Sequence, residues 1–154
     1  MKNYIKYIGW FVGIVLVGAV ILWGVSEYRY RKSPEYQAIK YFDDLKSKYE
    51  NDTYGGATPE ETLQLFIDAL KKGDVELASK YFVVEKQEIW VKNFEKIRDA
   101  EKFDLMLADV SRVKKYKEDK EEAIFTAGNE KNEAVINLVM YKNAKTGRWK
   151  ISEL

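Results

Sequence analysis

A chain of 154 residues, 46% hydrophobic and 33% charged, suits one compact domain rather than two. Its 26 basic and 25 acidic side chains leave a formal net charge of +1, which gives no reason to expect a nucleic-acid partner. The lack of cysteine and histidine excludes disulfides, thiol nucleophiles, the Ser-His-Asp triad and most transition-metal sites, so no metal or other cofactor is expected.

Residues 8–25 read IGWFVGIVLVGAVILWGV, without a charge. At a rise of ~1.5 Å per residue this run spans ~27 Å as a helix, close to the ~30 Å hydrocarbon core of a bilayer. Tyr4, Tyr7 and Trp10 flank its start, and Trp23, Tyr28 and Tyr30 its end, the pattern of a membrane-interface belt. The expectation is a single membrane-spanning helix touching lipid through residues 8–25. The run is longer than a signal-peptide core, and Gly24-Val25-Ser26 is a poor cleavage site, so the helix reads as an uncleaved signal anchor. Lys2 and Lys6 precede it, whereas Arg29, Arg31, Lys32 and Lys40 follow. The raw count leans toward a cytoplasmic C-terminus. The short lysine-bearing tail, and the ease with which long domains translocate, favour an extracytoplasmic one.

Ser33-Pro34-Glu35 is a helix start: a capping hydroxyl, a proline and an acid. Ala38, Tyr41, Phe42, Leu45 and Tyr49 then recur at helical spacing, predicting a stalk helix over 34–50 whose aromatic stripe packs on the chain's own head. Residues 51–57, NDTYGGA, read as a linker. The chain thus divides into a membrane anchor with flanks (1–32), a stalk helix and linker (33–57) and a globular domain (58–154).

That domain begins with Thr58-Pro59-Glu60-Glu61, a capping box with proline at the first helical position. Leu63, Phe66, Ile67 and Leu70 make one apolar stripe on a helix over 59–72, and Gly73 suits its left-handed cap. Asp74 caps a short second helix carrying Leu77, Ala78, Tyr81 and Phe82. Trp90, Val91, Phe94 and Ile97 predict a third, extending through Leu105–Leu107 to about residue 109. The period then changes to two. Val110–Lys117 reads as a weak strand, followed by Ala123–Ala127, a turn at 128–132, a strand from Ala134 to Tyr141, a turn at 143–147 and a last strand from Arg148. Helices followed by an antiparallel meander of three to four strands make an α+β fold.

The stretch TPEETLQLFIDALKKGDVELASKYF, with a later hairpin ending GRWKI, resembles the nuclear-transport-factor-2-like (cystatin-like cone) superfamily, in its membrane-anchored bacterial form. The resemblance covers residues 58–154. It implies helices packed into a curved sheet around a cone-shaped pocket, and pairing of two copies through their sheets. Tyr81, Trp90, Phe94, Tyr141 and Trp149 are the candidate ligand-binding residues, offering aromatic walls to an apolar group or a peptide.

No phosphate-binding loop, dinucleotide fingerprint or nucleophile elbow occurs. The expected function is therefore a single-pass, membrane-anchored binding or assembly module with no catalytic residue, joined to a second copy or a partner protein. One alternative is a tethered isomerase- or dehydratase-like enzyme with a base at Asp104 or Asp109 and donors among Tyr81, Tyr116 and Tyr141. Another is a small subunit of a larger membrane complex, using the span and the stalk as contacts.

Overall fold

A computed structural model describes residues 2–128 and 134–154; the side chains of residues 2–9, 134 and 135 are outside the description, as is most of the turn expected at 128–132. Among the described residues the chain forms six α-helices and one four-stranded antiparallel sheet, an α+β fold. It divides into two compact units, Met1–Leu45 and Lys46–Leu154.

In the first unit, α1 (Lys2–Arg31) contains one segment, Trp10–Arg31, long and apolar enough to cross a membrane, with mean hydropathy 1.9 and none of its most apolar window buried. Trp10, Trp23, Tyr28 and Tyr30 are exposed along it; Tyr4 and Tyr7 lie on its first turns, their side chains outside the described residues. The helix ends at Arg31, and beyond it Ser33 Oγ accepts the Tyr36 amide at 3.2 Å and caps the next helix, α2 (Pro34–Asn51). No residue of α2 is buried: Tyr41 and Phe42 are exposed, while Leu45 and Tyr49 are half-buried.

The second unit holds α3 (Pro59–Lys71), α4 (Val75–Lys80), α5 (Gln87–Asp99), α6 (Phe103–Ser111) and strands β1 (Lys114–Glu118), β2 (Glu122–Gly128), β3 (Ala134–Lys142) and β4 (Trp149–Glu153). Local chemistry starts the helices. Thr58 is extended and its Oγ1 accepts the Glu61 amide at 3.1 Å, while Glu61 reaches back to the Ala57 amide at 2.6 Å. Asp74 accepts the Leu77 amide at 2.9 Å. Gly73 takes φ +70° and closes α3, with its amide on the Leu70 carbonyl and the Asp74 amide on that of Ala69.

The long third helix expected from the sequence is two. Lys102 donates to the Ile97 carbonyl and Glu101 to that of Arg98, the same paired bonds as at Gly73, with Glu101 at φ 57°. This break redirects the chain, and Val110, read from the sequence as the start of a strand, sits fully buried in α6.

The strands run in the order β1-β2-β3-β4, each antiparallel to the next. Each pairing contains a bulge, which bends and twists the sheet locally. One face is apolar: Ala123 pairs with Met140 and Met140 with Ile151, while Phe125 pairs with Leu138, and all are buried against Phe66, Leu70, Ala78, Phe82, Phe94 and Val110. The two edges differ. β1 is exposed throughout and carries Lys114, Lys115 and Lys117 beside its bulge. β4 is closed: the Ile151 amide donates to the Tyr81 carbonyl at 2.8 Å, and the Trp149 amide to the Gly56 carbonyl at 3.1 Å.

Candidate functional site

The five aromatic residues singled out from the sequence do not converge. Phe94 is fully buried between Phe66, Phe82 and Trp90, with ring centroids 5.3–6.0 Å apart. Trp149 is buried on β4, and Tyr81 is buried at the end of α4 with its ring 6.5 Å from that of Tyr54. Burial pushes the Tyr81 phenol above its ordinary range. Trp90 stacks on Phe82 at 4.4 Å and is half-buried, with one side lining a groove. Tyr141 is on the opposite sheet face, 44% exposed, and donates to Glu122 Oε1 at 2.8 Å. That carboxylate holds the Tyr141 hydroxyl above its usual pKa. Among the described residues every buried side-chain nitrogen or oxygen has a hydrogen-bond partner.

The groove beside Trp90 has a volume of about 360 Å³ and lies between α5, α6 and β3, with Ile97, Leu105, Met106 and Ile136 in its walls. Lys102 and Asp109 are its charged lining groups. Asp109 is engaged by Arg112 at 2.5 Å, and no tyrosine lines the groove. Asp104 is exposed in the first turn of α6. Among the described residues no group of three or more acidic side chains is placed to hold a metal ion.

The face of the sheet away from the helices offers a second surface. Pairing places Ile124 beside Val139, with Lys117 and Glu153 at the two ends of that row. Tyr116, 76% exposed at the β1 bulge, joins Ile124, Thr126 and Val139 around a shallow depression of about 770 Å³. An apolar row on an open sheet face costs solvation free energy unless something covers it.

A third feature had no signal in the sequence. Lys150 points to this same outer face of β4, where alternation would put a lysine in water, yet its side chain is 2% exposed. Its ammonium bonds Asp52 Oδ2 at 2.7 Å and the carbonyls of Tyr54 at 3.3 Å and Lys80 at 2.5 Å, one acceptor for each N–H. Asp52 in turn accepts from the Tyr54 amide and from Gln87 Nε2. Burial pushes the Lys150 amine below its ordinary range, and the Asp52 carboxylate opposes that shift.

Comparison with protein-family models, curated proteins and solved structures gives no match to this chain.

Proposed function

We propose that the protein is a single-pass membrane protein whose globular domain, held outside the cytoplasm, is a non-catalytic binding or assembly module of the nuclear-transport-factor-2-like type. The observation that carries this reading is the outer sheet face, where exposed Tyr116 and half-buried Ile124 and Val139 line an apolar depression formed, among the described residues, by strand residues alone. The partner is a protein surface: a second copy of this chain or another membrane-associated protein. Trp10–Arg31 supplies the anchor, in contact with lipid along its exposed sides. The absence of any tyrosine from the lining of the groove beside Asp109 supports binding over isomerase chemistry, which needs a carboxylate and a hydroxyl at one cavity.

A photo-crosslinking residue placed at Ile124 tests the reading in intact membranes. A covalent adduct with a protein, absent when the probe is placed at Lys71 on α3, is the expected result. Crosslinking to water and lipid alone overturns it. Mass analysis of the adduct separates a second copy from a different partner. An activity reporter fused after Leu154 tests the sidedness: it is expected to work only outside the cytoplasm, and activity inside reverses the orientation.

A further inference from the structure

The buried ion pair joins two segments far apart in sequence, and what it joins is informative. Residues 46–56 run from the last turn of α2 to the start of α3, and the sequence marks their second half as a linker. In the structure they are fastened step by step to the C-terminal hairpin. Asn143, itself buried, donates from Nδ2 to the Tyr49 carbonyl at 3.0 Å. Asp52 meets Lys150. Gly56 accepts the Trp149 amide at 3.1 Å, and Arg148 donates to the Gly55 carbonyl at 3.5 Å. Other contacts of the segment go elsewhere, among them the Tyr49 hydroxyl to Glu85, Asp52 to Gln87, the Tyr54 ring to Tyr81 and the Gly56 amide to Thr62 on α3. Of all these contacts, Asp52–Lys150 is the one that buries opposite charges together, and breaking such a pair by removing one partner leaves the other charge desolvated and unbalanced.

We propose that residues 46–56 are a strap belonging to the globular domain, and that Asp52 and Lys150 form the catch that holds it on β4. The tether from the anchor therefore joins the domain at its last strand, although α3 is the next helix in sequence. The strap covers Lys150 on the outer face of β4, beside the row of Tyr141 and not that of Ile124 and Val139. This inference stands on the ion pair and its neighbours, independent of whether that row binds a partner.

Amide hydrogen exchange of the full-length protein in detergent micelles tests it, with Asp52→Asn, Lys150→Met and the double variant. In each single variant, exchange at Tyr54, Gly56 and Trp149 is expected to accelerate by at least several hundredfold, the scale set by breaking a buried pair. The amides of Phe125 and Leu138 in the β2–β3 ladder are expected to keep their wild-type rates. The double variant, with neither charge left stranded, is expected to recover most of the strap's protection. Three outcomes overturn the proposal. Strap amides in the single variants exchange as in the wild type; or the β2–β3 amides accelerate along with the strap, making the pair a general core element; or the double variant exchanges as fast as the worse single one.

Discussion

Gly55 is held in a conformation and a space that no other residue fits. Its φ is +110°, and a Cβ built on it would lie 2.3 Å from the Trp149 carbonyl oxygen, an atom fixed in β4. Gly55→Ala therefore meets both backbone strain and a clash with a partner that cannot turn aside. It is expected to lower stability by about 2–4 kcal/mol, read as a drop in the urea midpoint with the slope unchanged. Asp119 acts through charge instead. Its Oδ1 accepts the amides of Glu121 at 3.0 Å and Glu122 at 2.9 Å in the β1–β2 turn, and these bonds hold its carboxyl below the usual aspartate pKa. A depressed carboxyl stabilises the folded turn above the unfolded-state pKa and loses that contribution as pH falls through the folded value. The two amide resonances are thus expected to titrate together with Asp119, at a pH lower than that of a free aspartate; a midpoint at or above the free value refutes the assignment. Lys150 shows why residue-level reading ran out. Between Trp149 and Ile151, alternation assigns it to solvent, and nothing near it in sequence announces Asp52, 98 positions away.

Two helix ends in this domain use the same pair of backbone bonds, and only one could be foreseen. At Gly73 the residue type matches the left-handed backbone, so the end of α3 was legible. At Glu101 the same geometry is adopted by a residue with a Cβ, and α5 and α6 therefore read as one helix. The side chain resists that backbone by roughly 1 kcal/mol, which packing of Phe103, Met106 and Val110 offsets. Glu101→Gly is expected to stabilise the protein by about 0.5–1 kcal/mol and raise its thermal midpoint by a few degrees. Gly73→Ala, at the mirror site on α3, is expected to do the reverse. Strands were easier than helix breaks: a period of two survives any loop length, so β2, β3 and β4 follow from alternation alone. Of the candidate site, Trp90 alone lies on the apolar groove, because aromatic residues that stripe a helix are chosen first by the core.

At the scale of the whole molecule, the sequence conveyed an apolar N-terminal helix followed by an α+β domain, since both are written in hydrophobic periodicity. The strap was hidden because a polar, glycine-containing stretch has the same composition whether it floats or docks. Its docking makes a test of how the domain is bounded. A chain beginning at Ala57 lacks Asp52, Tyr54 and Gly55 and so loses the strap's hydrogen bonds, its burial and the counter-ion of Lys150. It is expected to be less stable than a chain beginning at Lys46, with a lower midpoint in chemical denaturation. Equal stability of the two would place the strap outside the domain's cooperative unit.

The lysine-rich first strand has a bearing on crowding. A sheet with one unsealed margin invites neighbours to add strands, and the more crowded the molecules the more often such margins meet. Solvated charged side chains and a kinked backbone along β1 make lateral growth of the sheet from molecule to molecule unfavourable. Contact through the flat of the sheet remains available, while stacking edge to edge into fibres is discouraged.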